Sequence, residues 1–501
     1  MGSRTPGTRA GRPAARAGLT TPKIVFLVVA AAAPMAGVVG SVPLAFALGN
    51  GVGAPAAFLL SGATLLCFSV GYAALSRRIT SAGGFYTYVV RGLGRPAGLP
   101  AGLIALLAYN ATVTGVTGAF AYFADLVAAS HGLHLSWQWW AVAGIAAMAF
   151  MGYHRIDLSA RLLAVLMLCE VAVLLVVGFC VVARRGAAAL PAASFAPHHV
   201  FASGLGVALM FALISYIGFE AAALYGEEAR DPGRSVPLAT YVSVVLITVF
   251  FALVSWVAVG GVGVDRLRPT ARGELGDMFF RLAERYTGEA VTTVMQVLLC
   301  TSLFGAMLGL HNAANRYLYV LGRERVLPSW LGAVHPRHGA PHRAGLVQAG
   351  VTAAVCAVFA AVGLDPYTSL ATTTLALGAV GLMALQGAVS VAVIAFFARR
   401  PGGHWWRCAV APLLSLGGIG AELVLLLDNF PVVTGTHSAL VNRLPWLLVA
   451  AVVWGVAQAL YLRRRAPGRY AAIGGARDTA AATAPGQNRR SLSSSMPRRA
   501  S

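Results

Sequence analysis

The fold class predicted here is an all-α integral membrane protein of about twelve transmembrane helices, and three observations carry that expectation. The chain is 58% hydrophobic and only 11% charged, with a mean hydropathy of +0.72. That is too little charge to cover the surface of a soluble protein of this length. Apolar runs of roughly 20 residues recur from end to end without strand-like alternation, so helices rather than a β-barrel satisfy the backbone in lipid. Two of the runs are interrupted by glycine, proline and polar residues where an ordinary span is uniform.

The spans fall at about 24–49, 55–75, 98–128, 137–153, 162–183, 203–225, 237–260, 291–318, 344–363, 369–397, 409–429 and 445–462. The first run follows a basic start. It continues to residue 49, too long for the apolar segment of a cleaved signal peptide, so it reads as a retained span. Alternate loops are arginine-rich. One set holds Arg77, Arg78, Arg91 and Arg95, then Arg155 and Arg161, Arg230 and Arg234, Arg323, Arg325, Arg337 and Arg343, and Arg399, Arg400 and Arg407. The other set is short, neutral or balanced, with Arg184 and Arg185 as the exception. Residues 264–289 interleave both signs and read as a surface amphipathic helix. The arginine-rich side is expected to face the cytoplasm. An even number of spans places both termini there, and the expected location is the plasma membrane.

The net charge of +21 gathers at the ends. Residues 1–23 carry Arg4, Arg9, Arg12, Arg16 and Lys23 without an acid, and nine arginines from Arg463 onward face Asp478 alone. Glycine, serine and proline accompany this charge, so residues 1–23 and 463–501 read as cytoplasmic tails rather than nucleic-acid-binding segments. Between them lie a helical core, 24–397, and a final helix pair, 409–462. The six cysteines, at 67, 169, 180, 300, 356 and 408, have no metal-ligand spacing and read as core thiols. No cofactor or metal is expected. "GNGVG" at 49–53 follows a span and lacks lysine, so it is a turn rather than a phosphate loop.

The interruptions are "APMAGVVGSVP" in the first span and "SYIGFE" in the sixth. They stand at matching positions in two halves, 24–183 and 203–397, the pattern of a repeat with inverted topology. A helix broken in mid-membrane frees N–H groups on one half and C=O groups on the other. Lipid cannot satisfy them, but a polar solute can.

At this point a family comes into view. "SAGGFYTYVVRGLGRPAG", "GFEAAALYGEEARDPGRSVPLAT" and "HNAANRYLYVLGRERVLP" follow one another in an order and at a spacing that resemble those of amino acid–polyamine–organocation permeases, and the resemblance covers about residues 24–460. It implies a five-plus-five inverted-repeat core, with helices eleven and twelve as a flanking pair. It also implies secondary transport of a small solute, an amino acid or related amine, across the lipid bilayer. The first span departs from the family's Gly-Ser-Gly-Ile pattern, with Val42 and Pro43 in place of the second glycine and the isoleucine.

The candidate site follows from the breaks and the resemblance. Gly40, Ser41 and Val42 are expected to cradle a carboxylate through backbone N–H groups, the alternative being a plain glycine kink. Carbonyls of Ile214, Ser215, Tyr216 and Ile217 are expected to accept an ammonium while Tyr216 walls the pocket; the alternative is an ordinary packed aromatic. Tyr109, Asn110 and Thr372 to Thr374 are further wall candidates. Glu220 is either a gate or a carboxyl bonded to helix ends. Glu170 is the most informative acid, because a charge at a helix centre costs about 2.5–3.5 kcal/mol on insertion scales. The resemblance places it where some proton-coupled members carry a lysine, so H⁺ is the expected coupling ion; a structural, protonated glutamate is the alternative. Thr301 and Ser302 fall where sodium-coupled relatives hold Na⁺, although such hydroxyls more often bond to their own backbone.

Exchange of amino acids or amines, polyamine carriage and solute sensing without transport use the same pocket. An enzyme would need a nucleophile–base pair near one membrane face, and none stands out. Composition says nothing of oligomeric state.

Overall fold

The computed structural model describes residues 19–79, 84–154, 160–220, 229–400, 404–435 and 438–474. The far ends of both predicted tails, Arg155, and the last five residues of the sixth predicted span (221–225) lie outside them. The described chain is helical throughout, apart from one bridge that pairs Leu19 with Ala229.

The first predicted span is two helices, α1 (Thr21–Ala31) and α2 (Pro34–Ala47). Then come α3 (Ala54–Ser76), α4 (Gly84–Leu93), α5 (Arg95–Ser130), α6 (Trp137–His154) and α7 (Ala160–Arg185). The second half contains α8 (Leu205–Ser215), α9 (Pro232–Val262), α10 (Leu267–Glu274), α11 (Met278–Thr287) and α12 (Glu289–Arg323). It continues with α13 (His342–Val362), α14 (Thr372–Ala398, entered through a π turn at Pro366–Ala371) and α15 (Ala411–Asp428). The last elements are α16 (Trp446–Arg465) and α17 (Pro467–Ala472). Ten described segments are long and apolar enough to cross a bilayer. Leu205–Ser215 is a shorter apolar helix.

The break in the first span is two turns earlier than Gly40–Val42. It lies at Ala32–Ala33, where Ala33 takes a left-handed conformation (φ 45°, ψ 72°). The cause is Pro34. Proline disfavours helical geometry in the residue before it, yet suits the first position of a new helix, where its missing N–H is no loss. Gly40, Ser41 and Val42 sit inside α2, and even Pro43 is absorbed there. At the other end of α2, Arg268 Nη2 donates to Gly49 O and Arg272 Nε to Ala47 O (3.2 Å). Cations from α10 thereby meet the carbonyls that a helix C-terminus leaves free.

The second break follows α8. Tyr216 and Ile217 close turns back to Leu213 and Ile214, and Gly218 adopts φ 112°. The two breaks lie against each other. A Cβ on Gly218 would stand 3.0 Å from the carbonyl of Ala31, and one on Gly37 would stand 2.5 Å from the Phe251 ring and 3.4 Å from the Ser215 side chain. Only glycine allows backbones this close.

α3 packs along α9, and α5 lies between α12 and α14. Residues 264–289, predicted as one surface helix, form α10 and α11, and Arg281 lies 3.9 Å from both Glu274 and Asp277. α4 is a helix where the sequence reads as a loop between spans. Its Phe85, Tyr86, Tyr88 and Val89 are buried.

Candidate functional site

A cavity of about 720 Å³ adjoins both breaks. Ala33, Ala36, Gly37 and Gly40 border it from the first span, and Ile214, Ser215, Gly218 and Glu220 from the sixth. It extends toward the arginine-rich face, where Leu19, Gly84, Tyr86, Tyr317 and Val320 form its mouth. The opposite side is packed with rings: Tyr122 stacks on Tyr367 at 4.7 Å, and Phe123 meets Tyr367 and Phe280 edge-on. The Tyr367 hydroxyl donates to Gly40 O at 3.0 Å.

α7 brings Glu170 to the first break. One face of this helix exposes Val165, Leu168, Leu175, Val176 and Phe179, as a lipid-facing helix must, whereas Glu170 points inward and is 4% exposed. Its Oε2 accepts the Met35 N–H at 3.1 Å and the Ser302 hydroxyl at 2.9 Å. Ser302 Oγ in turn accepts the Ala36 N–H at 3.3 Å. These are first-turn N–H groups of α2, which have no partner within their own helix. Glu170 and Ser302 therefore cap α2 from two other helices, placing a carboxyl group and a hydroxyl at the positive end of its dipole.

The second break is capped locally. Glu220 Oε2 accepts the Gly218 N–H at 3.0 Å, and its Oε1 accepts the Tyr109 hydroxyl at 2.8 Å. The Tyr72 hydroxyl donates to the Glu220 carbonyl at 3.1 Å. Tyr109 stacks on Tyr317, with ring centroids 5.4 Å apart. Glu220 is thus a carboxyl bonded at a helix end, and it also borders the cavity.

Several expected residues lie elsewhere. Val42 is fully buried and, unlike Gly40 and Ser41, does not border the cavity. The Tyr216 ring turns away from it. A buried phenol needs a partner, and Tyr216 finds two at 2.9 Å, Phe58 O and Thr248 Oγ1. Asn110 Nδ2 donates to Leu106 O in its own helix. Thr372 and Thr374 likewise bond back to Thr368 O and Leu370 O. Thr301 borders the cavity with its hydroxyl bonded to Leu298 O at 2.9 Å, as in-helix threonines commonly do.

The sequence reading missed three contributors. Ala33 was signalled by the proline after it. Tyr72 and Tyr317, which wall the cavity around Glu220, carry no local signal. Glu422 of α15 was also missed. It is 4% exposed, away from the cavity, and its Oε2 has no hydrogen-bond partner among the described residues. Among those residues no cluster of His, Cys, Asp and Glu has metal-binding geometry.

The arrangement offers backbone donors at a helix start, one carboxyl group in place on them, a second at the facing break, and a cavity that adjoins both and extends toward the arginine-rich end. Comparison with known proteins agrees in kind. A family model described as amino acid permease matches residues 19–457. The chain is 29% identical over 319 residues to an uncharacterized transporter of Mycobacterium tuberculosis, covering 63% of this chain and 68% of that one. It is 25% identical over 326 residues to the methylthioribose transporter of Bacillus subtilis, covering 61% and 68%. Over 159 residues it is 31% identical to cationic amino acid transporter 7, chloroplastic, of Arabidopsis thaliana, covering 31% and 25%. With nearly its whole helical region matched, the chain belongs to the amino acid permease family, as a multi-pass membrane transporter and not an enzyme.

Proposed function

We propose that this transporter carries an amino acid across the plasma membrane by proton symport, with Glu170 as the coupling group and both termini cytoplasmic. One observation supports the reading above others: the Glu170 carboxylate sits on the Met35 N–H at the start of α2. A solute carboxylate needs that same kind of donor. Deprotonated Glu170 and the solute compete for it; protonated Glu170 is the weaker acceptor and yields. A proton taken up on the outer side thus admits the solute. Loss of that proton to the cytoplasm returns the Glu170 carboxylate to α2 and expels the solute. Glu220 and the backbone of Ile214, Ser215 and Ile217 border the cavity on the facing side, where the solute's ammonium would be received. The interrupted first and sixth spans, packed on each other, fit the inverted repeat expected from the sequence.

A second reading rests on the same contact. If Glu170 never leaves α2, the solute lacks a carboxylate, and an amine pairs with Glu170 or Glu220 in place. The methylthioribose transporter among the relatives carries, by its name, a solute without a carboxylate, though not an amine.

A thermal-shift screen of the twenty amino acids and their decarboxylated amines separates the readings, since a ligand stabilises the folded state by mass action. The best ligand is then followed into proteoliposomes with an inward proton or Na⁺ gradient. Symport predicts that an amino acid, but not its matching amine, stabilises the protein and accumulates with the proton gradient. Stabilisation by the amine alone supports the second reading. Accumulation driven only by Na⁺ would replace Glu170 with the Thr301–Ser302 region as the coupling site.

A further inference from the structure

The mouth of the cavity is bordered on one side by α4, and α4 is tied through Glu324 to the end of the described chain. Gly474 donates its N–H to Glu324 Oε1 at 3.0 Å, while the Tyr86 hydroxyl of α4 donates to the other oxygen of the same carboxylate. Arg95, at the start of α5, holds two further carbonyls: Nη2 donates to Ala471 O at 2.8 Å and Nε to Ile473 O at 3.3 Å. Its guanidinium also lies over the Tyr470 ring, 5.6 Å from the centroid. Ile473 is 1% exposed, deeper than its place after the last long helix requires. Gly474 has φ 72°, and a Cβ there would stand 2.5 Å from Val90 of α4. Glu324 follows directly on α12, so one buried carboxylate joins three elements: the mouth helix, the end of α12 and the C-terminal segment.

We propose that residues 470–474 form a strap that positions α4 at the cavity mouth, with Arg95 and Glu324 as its two anchors. The described part of α4 is ten residues, too few to hold helical form without contacts from neighbours. Most of its packing comes from α5 and α14, and the strap adds contacts at Tyr86 and Val90, one turn apart on the same face. Tyr86 makes the link mechanical, because it borders the cavity and bonds to the strap's anchor. Any rearrangement that closes this mouth must either carry the strap along or release it. The role in transport rests on the reading of this cavity as the solute path. The attachment itself does not, so its test needs no solute.

The test is amide hydrogen exchange on the purified full-length protein in lipid nanodiscs, comparing wild type with Arg95→Ala and Gly474→Val. Each variant is expected to speed exchange of peptides from 466–474 and from 84–93 by about tenfold, while peptides from α2 and α7 stay within about twofold. Release of 466–474 with α4 unchanged would overturn the positioning role, and so would unchanged exchange in both segments. A uniform rise across all helices would mark a general packing contact and overturn it too. Glu324→Gln, which keeps the shape of the anchor, is expected to give the same pattern with a smaller rise, and it carries the test if the other variants do not fold.

Discussion

At Ala32–Ala33 the freed N–H groups are met from outside, by Glu170 of α7 and Ser302 of α12; at Gly218 they are met from within, by Glu220 only two residues on. The first cap joins helices that are distant in sequence. It can be lost without unfolding the break, because Pro34 keeps that turn in place. The second cap is part of the turn it satisfies. Removing it disturbs the local structure before it alters anything else. A cap in trans is therefore suited to coupling, and a cap in cis to holding shape. The backbone differs likewise: the second break uses glycine for its positive φ, whereas the first imposes one on an alanine.

The largest effect that would break this comparison is at the second break. Gly218→Val places a branched side chain at φ 112° against the Ala31 carbonyl, and loss of about 3 kcal/mol or more is expected, read as failure to elute as a monodisperse peak. Next is Glu220→Leu, which leaves the Gly218 N–H and the Tyr109 hydroxyl unpartnered; a stability loss of about 1–3 kcal/mol is expected in thermal melts. Glu170→Gln should behave differently. Melting should stay close to wild type, while gradient-driven accumulation in liposomes falls at least about tenfold and solute exchange persists. Equal losses of stability at Glu170 and Glu220 would erase the distinction between the two caps. The smallest effect is Ala33→Gly, which relieves a left-handed alanine and should change stability by no more than about 1 kcal/mol, against the large loss from the reverse kind of change at Gly218.

How much of this was legible follows from the kind of signal each feature leaves. Spans and arginine-rich loops are written in composition and read directly. Glu170 stood out because a lone acid in an apolar run is costly, and the structure places it facing inward on a helix whose other face is apolar. Glu422 bears the same signal in "GAELVLLLD" and was passed over, so the signal finds buried acids without saying which of them face a cavity. Within "APMAGVVGSVP" the sequence offers Pro34, Gly37, Gly40 and Pro43 as weak points and points to Gly40–Val42 for the cradle, whereas the break lies beside Pro34. In a membrane helix glycine mostly permits close packing, whereas the proline rule acts on the residue before it. Tyr216 is a candidate because it brackets a break and Asn110 because it lies on the third span, but the direction a ring or amide takes depends on which backbone oxygen lies within reach, and that is a tertiary fact. α4 reads as a loop because its burial comes from α5 and α14 rather than from its own length.

Coupling through Glu170 requires that it and the solute share one set of donors, and the affinity of the selected amino acid as a function of pH tests this most directly. Competition requires that binding weaken as pH rises through the titration of Glu170, by up to about tenfold per pH unit, and that Glu170→Gln bind with no such slope. A wild-type affinity that is flat across that range, or an identical slope in Glu170→Gln, would contradict it.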